Sequence, residues 1–203
     1  MRLEDLCRPR EEGGIGLCGN REVYDSISIK LWWKFRQQQS LWAEFMSRNY
    51  CAGLHPCLAE DSHWSSHTWR RMVAVQQVGE DHISWIVQQG SMDFWHDNWM
   101  GSGVLSKKVE IFHDHLVADF VARGDRNIAM LNQHLDVGLV GRVLEVTPLS
   151  FRDNDKMIWA LTNSGTFSTS SAYSLVQWVN NKSWFFAFVW QQGLPIKISF
   201  FML

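Results

Sequence analysis

The stretch WIVQQGSMDFWHDNWMG, residues 85–101, holds three tryptophans, a phenylalanine, a His-Asp pair and two glycines in seventeen positions. With Ile83 and Ser84 ahead of it, the stretch alternates around Gly90-Ser91, the pattern of two short strands joined by a turn. His96-Asp97 supplies the side chains of a general-base pair. Adjacent strand residues point to opposite faces, however, so ring and carboxylate would not meet. The expectation is a packed aromatic hairpin tied down by Asp97, rather than a catalytic or metal site.

The rest of the composition fits a packed chain. At 203 residues there is room for one domain or two small ones. With 20% charged and 46% hydrophobic residues, the values are globular and not disordered. A net charge of -2 sets up no global positive field toward nucleic acid. Lys+Arg against Asp+Glu run 10 to 9 over residues 1–72, 5 to 10 over 73–150 and 4 to 2 over 151–203, so the middle is the acidic part. Twelve tryptophans imply reliance on aromatic packing, each indole needing one partner for its N–H. The charged N-terminus MRLEDLCRPREEGG has no apolar core, so export and disulfides among Cys7, Cys18, Cys51 and Cys57 are not expected. The longest apolar run, SWFFAFVW at 183–190, is far shorter than the roughly 18 residues of a membrane span. These readings together predict an intracellular chain, nuclear or cytoplasmic, with no membrane partner.

Helical spacing governs the N-terminal part. Tyr24, Ile27, Leu31 and Phe35 recur at three and four and predict one apolar face of a helix over about 22–38, widened by Trp32 and Trp33. Ser40 is placed to cap a helix in LWAEFMSRNY, and Ser65 or Ser66 to start another through TWRRMVAV. One or two short helices are expected near 126–145. A second hairpin is read in MIWALTNSGTFS with its turn at Asn163-Ser164-Gly165. Ser168 or Thr169 then caps a helix with Ala172, Leu175, Val176 and Val179 on its apolar side. The fold class is α+β: a helical N-terminal part, small antiparallel hairpins and a C-terminal helix. The segments are a helical connector over 1–78, an aromatic hairpin with irregular linker over 79–150, and a third piece over 151–203.

Candidate chemistry is sparse. Cys51, His55, Cys57, His63 and His67 include natural zinc ligands, but the C-x5-C-x5-H-x3-H spacing departs from a zinc finger, so no metal and no cofactor are expected. His113 and His115 flank Asp114 and lack a third ligand. Gly13, Gly14 and Gly16 spell GGIG, a turn rather than a phosphate loop, since no GK[ST] follows. Lys30, Trp33, Lys34 and Arg36, with Arg70 and Arg71, place cations beside rings, the ingredients for nucleic-acid contact. No nucleophile elbow appears.

Taken in order, these stretches resemble one family, the C-terminal region of plant LINE-type (non-LTR) retrotransposon reverse transcriptases, proteins often labelled ribonuclease H proteins. The resemblance runs through LCRPREEGGIG at 6–16 (with Leu3 where the family has Trp), KLWWKF at 30–35, QQSLWAEFMSRNY at 38–50 and SSHTWRRM at 65–72. It continues with the Phe-Trp-x-Asp-x-Trp of Phe94, Trp95, Asp97 and Trp99. The Gly-x-Phe-Ser-x-x-Ser-Ala-Tyr signature follows at Gly165, Phe167, Ser168, Ser171, Ala172 and Tyr173, after Trp159. Trp190, Pro195, Lys197, Phe200 and Phe201 resemble the beginning of the family's zinc-binding reverse-transcriptase domain. Ser170 stands where the family carries Lys.

The resemblance implies a non-catalytic connector between polymerase and zinc-binding domains, the last of which would start within 151–203 and be truncated. No Tyr/Phe-x-Asp-Asp box is present to hold divalent ions, so the chain is expected not to be an enzyme, although its intact parent would be an RNA-directed DNA polymerase. RNA or an RNA/DNA duplex would be the parent's partner; the oligomeric state is left open. A stand-alone Trp-rich module that binds RNA or protein is the alternative.

Overall fold

A 17-residue helix, α1 (Asn20–Arg36), carries the first tryptophan pair. The structure, a computed structural model, describes residues 7, 17–109, 114–122, 125–146 and 153–177. Among these follow α2 (Leu41–Tyr50), α3 (His67–Ala74), α4 (Gln76–Glu80), β1 (Ile83–Ile86), β2 (Val121–Ala122), β3 (Asp125–Arg126), α5 (Ile128–His134), α6 (Val137–Glu145), β4 (Lys156–Trp159) and α7 (Thr169–Val176). Among the described residues, seven α-helices and two small antiparallel sheets make the α+β class plain. Gly13, Gly14, Gly16, His113, Val179 and the 190–201 motif lie outside the described residues. No helix among the described residues is long and apolar enough to cross a membrane.

Short-range capping chemistry sets the helix starts. Ser40 Oγ accepts from Ala43 N–H at 3.2 Å, and Ser66 Oγ accepts from Trp69 N–H at 3.2 Å. Asn127 and Asp136 do the same for α5 and α6. Each such cap is worth about 1 kcal/mol, because it satisfies an amide the first turn leaves without a partner. The apolar face of α1 differs from expectation. Tyr24 and Ile27 are exposed and Leu31 half-buried, whereas Ile29, Trp32, Trp33 and Phe35 form the buried side. Two neighbouring indoles bury more area than the aliphatic stripe could, and they set the helix's rotation.

Both expected hairpins are reassigned. Strand β1 pairs with β4, antiparallel, with Ile83 opposite Trp159 and Ile86 opposite Lys156. Residues after Gly90 do not return as a strand. Asp93 Oδ1 instead accepts from the amides of Trp95 (2.8 Å) and His96 (2.7 Å), and Asp97 Oδ2 from that of Asp93 (2.9 Å). Such local side-chain bonds compete with a strand ladder and fold the segment into turns. In the second stretch, Trp159 N–H closes onto Gly165 O at 2.8 Å, and Thr162 Oγ1 donates to Thr166 O at 2.7 Å. The outcome is a closed loop after β4 without a returning strand. Gly165, at φ +68°, supplies the left-handed residue this loop needs.

The chain divides into two compact units, Met1–Ser28 with Thr169–Leu203, and Ile29–Ser168. In the first, Gly19 N–H donates to the Tyr173 hydroxyl at 3.3 Å, placing the last residue of the Gly-x-Phe-Ser signature beside the start of α1. The second unit joins residues on both sides of 78/79 and of 150/151; across the second of these, β1 pairs with β4, Ile83 with Trp159 and Ile86 with Lys156. Its core has three aromatic centres. Trp32, Phe35 and Trp69 pack together, and Tyr50 stacks on Trp69 at 4.5 Å. Trp33, Trp159 and Phe167 form the second centre. Phe94, Trp95, Trp99 and Phe120 form the third, closed by Leu131, Leu139, Val140 and Val143 of α5 and α6.

Two glycine substitutions separate helix propensity from packing. Alanine in place of glycine favours a helix interior by about 1 kcal/mol. Around Gly141 no atom comes within 4 Å of an added Cβ, so Gly141→Ala should gain stability of that order. At Gly79 the added Cβ would lie 2.9 Å from Cδ1 of the fully buried Trp32. Crowding there costs about 1–3 kcal/mol and outweighs the propensity gain. Urea unfolding should move the midpoint up for Gly141→Ala and down for Gly79→Ala, with the slope unchanged in both.

Candidate functional site

A buried ionic cluster lies within the second unit. Arg36 ends α1, Glu80 ends α4, and Asp97 sits in the turns after β1. The Arg36 Nε donates to Glu80 Oε1 at 2.7 Å, and the indole N–H of Trp32 donates to the same oxygen at 2.7 Å. Arg36 Nη2 donates to Asp97 Oδ1. The side chains of Arg36 and Asp97 are only 5% and 4% exposed, so neither charge is held by water. Burial alone would push the Asp97 carboxyl up, but the adjacent guanidinium overrides it and holds the group at about 2, against an ordinary 3.8. Burial also opposes the charge on Arg36, and the two carboxylates overcome it, raising the guanidinium further.

Two histidines complete the cluster. His55 Nδ1 accepts from Cys57 N–H at 3.2 Å, so in the neutral ring the proton sits on Nε2. That Nε2 is buried and 3.5 Å from Asp97 Oδ1, close in charge yet without the geometry of a hydrogen bond. His96 stacks on His55 at 5.3 Å and bonds through Nδ1 to Asp93 Oδ1 at 2.9 Å. His96 and Asp97 do not pair with each other, as expected; His96 bonds to Asp93 and Asp97 to Arg36. Beside the cluster opens a cleft of about 500 Å³ whose walls include Cys57, Glu80, His96 and Lys107. Burial, reinforced by Glu80, pushes the Cys57 thiol far up, which removes it as a thiolate nucleophile.

Asp155 had no sequence signal. It lies just before β4, and its carboxylate accepts from the amides of Gln88, Gly90 and Ser91 and from the Ser91 hydroxyl, at 2.6–3.0 Å. Those bonds overcome partial burial and lower its pKa. Asp155 thereby fixes the Gly90 turn that local alternation had assigned to a hairpin.

The residues expected at a nucleic-acid surface scatter. Lys30, Trp33 and Lys34 do come together, at a depression of about 310 Å³ shared with Lys156, Thr166 and Phe167. Trp33 is buried there, stacked on Phe167 at 5.8 Å, and serves as floor rather than as an exposed ring. Arg36 is turned inward to Glu80 and Asp97, so it does not join the lysines at the surface; a cation one residue past the exposed face is captured by the interior carboxylates. Arg70 is exposed elsewhere, with Nη2 donating to His63 O at 2.8 Å and Nε 3.7 Å from Asp61. Arg71 is half-buried on the same helix.

The zinc-like residues are also dispersed. Cys51 is buried at the end of α2, His55 and Cys57 belong to the cluster, and His63 and His67 are exposed. Among the described residues no group of three or more His, Cys, Asp or Glu side chains is arranged to hold a metal ion. Of the matched motif, Phe94, Trp95 and Trp99 enter the third aromatic centre while Asp97 points to Arg36. Trp99 Nε1 also donates to Phe94 O at 2.8 Å, closing the motif on itself.

No protein-family model and no solved structure match the chain. Among curated proteins it is similar to one of Arabidopsis thaliana named "Putative ribonuclease H protein", at 24% identity over the whole of this chain. The chain spans 35% of that protein's length. It is a distant relative of a ribonuclease H-like protein.

The ionic cluster predicts a defined acid sensitivity. Because the folded-state pKa of Asp97 is depressed, its contribution is complete above about pH 4 and disappears as pH falls toward 2. The shift corresponds to about 2 kcal/mol. Asp97→Asn should flatten the stability profile in that window. It should also lower stability at pH 7 by about 3 kcal/mol, since a buried cation loses one of its partners. Breaking the exposed Arg48–Glu44 pair with Glu44→Gln should cost no more than about 0.5 kcal/mol. Urea titrations of both variants between pH 2 and 7 measure these differences.

Proposed function

We propose that the chain is a non-catalytic scaffold segment of a retrotransposon-type reverse-transcriptase polyprotein, connecting a polymerase domain to a zinc-binding domain. The observation that carries this reading is the use made of Asp97. It is the one carboxylate in the matched Phe-Trp-x-Asp-x-Trp motif, and both its oxygens are committed, one to Arg36 and one to the Asp93 amide. A carboxylate spent this way positions helices and turns; catalytic carboxylates for nucleotidyl transfer would have to face divalent ions and substrate. The similarity to the Arabidopsis protein supports the same reading, since it extends over all of this chain and only a third of that longer protein.

In this reading the second unit is a rigid spacer, and the parent's chemistry resides in other domains. Glu80 and Asp97 keep α1, α4 and the motif turns in one arrangement, as a connector that transmits position between domains requires. Purified chain given primed RNA, Mg2+ and deoxynucleotides should extend no primer, and it should leave a labelled RNA/DNA hybrid uncut. Synthesis or cleavage that follows the protein through purification, and that is lost in Asp97→Asn without loss of folding, would overturn the assignment.

A further inference from the structure

The basic depression beside Trp33 remains unexplained by the scaffold role. Lys30 and Lys34 are one helical turn apart on α1, and Lys156 begins β4, more than 120 residues later. Like charges at i,i+4 cost a helix about 0.2–0.5 kcal/mol. Lys34, in the last turn, offsets the helix dipole there; Lys30 lies a turn earlier and gains less. All three lysines are exposed, and among the described residues none forms an ion pair. No carboxylate lines the depression. The acidic character of residues 73–150 thus leaves this spot untouched, and three lysines share one depression with no carboxylate among the described lining residues.

The floor between them is aromatic. Phe167 is half-buried, packed on Trp33 and on Trp159, and forms part of the wall with Thr166. At about 310 Å³ the space is at the small end for ligand sites, enough for one planar group with its anion but not for a folded partner. Cations around an aromatic floor match a nucleotide unit, with phosphate for the ammonium groups and a base for the ring. An acidic peptide would use the charges and leave the ring without a planar partner.

We infer that this depression, formed by Lys30, Lys34, Lys156, Trp33, Thr166 and Phe167, binds the phosphate backbone of single-stranded nucleic acid and seats one base against Phe167. The inference rests on the scaffold reading only for the kind of polyanion present; the basic surface itself is independent of it. Three of its residues, Lys30, Trp33 and Lys34, come from α1 and the others from β4 and its following loop, so the site exists only where Trp33 packs against Trp159 and Phe167.

Fluorescence anisotropy of the full chain with labelled oligo-rU and oligo-dT, titrated over salt, tests it. Three phosphate contacts to a single strand predict a slope of log K on log salt near -2, at about 0.7 per contact. Lys30→Gln/Lys34→Gln/Lys156→Gln should abolish that slope and weaken low-salt binding by about tenfold or more, and Lys156→Gln alone should remove about 0.7 of the slope. The control pair Lys107→Gln/Lys108→Gln, on the cleft beside the ionic cluster, should change neither. Circular dichroism and melting confirm that each variant folds. No binding, equal loss in the control pair, competition by poly-glutamate as strong as by oligonucleotide, or binding of duplex alone would each overturn the inference. Primer extension in the earlier assay would overturn the scaffold reading and leave this site standing.

Discussion

A guanidinium placed among tryptophans cannot remain there unless its charge is met by other buried groups, because removing it from water costs several kcal/mol. Arg36 meets that condition through Glu80 and Asp97, and the second unit is arranged around the need. Its helix ends where the two carboxylates arrive, one from the end of α4 and one from the turns after β1. The indole of Trp32, which belongs to one of the aromatic centres, shares the Glu80 oxygen. Hydrogen bonds from Arg36 to two separate carboxylates specify one arrangement, whereas apolar contacts alone tolerate several.

The same constraint gives the Phe-Trp-x-Asp-x-Trp motif its spacing. Phe94, Trp95 and Trp99 enter one core, with Phe94 stacked on Phe120 and Trp95 edge-on to it, and Asp97 between them faces the opposite side. Asp93 provides the bends that let one short segment serve two environments, taking the amides of Trp95 and His96 on a single oxygen. Charge in this unit is therefore divided. Glu80 and Asp97 are consumed inside, and Asp93 and Asp155 fix turns, while Lys30, Lys34 and Lys156 stay outside with no counter-charge among the described residues. A structural interior and a basic exterior patch coexist in a chain whose net charge is -2.

Much of this was legible in the residues because much of it is local. Ser40 and Ser66 announce helix starts, and each accepts the amide three residues on; Asn127 and Asp136 do the same within the stretch where one or two short helices are expected. A cap needs only its own neighbours, so spacing suffices to find it. The turn at Gly165 and the helix beginning at Thr169 follow the same logic. Lys30, Trp33 and Lys34 could be grouped from helical spacing alone.

What the residues could not disclose is which distant groups they would meet. The alternation at 83–86 is compatible with any partner strand, and only packing selected 156–159. Arg36 reads as one more exposed cation of a basic helix until Glu80 and Asp97 arrive from 44 and 61 residues away to capture it. Lys156 joins Lys30 and Lys34 for the same reason. Local sequence determined the helices, their caps and the aromatic content of the core, since those depend on propensity and on amides within one turn. Tertiary structure alone decided the sheet, the interior ion cluster and the basic depression, because each is a contact between segments whose separation no periodicity encodes.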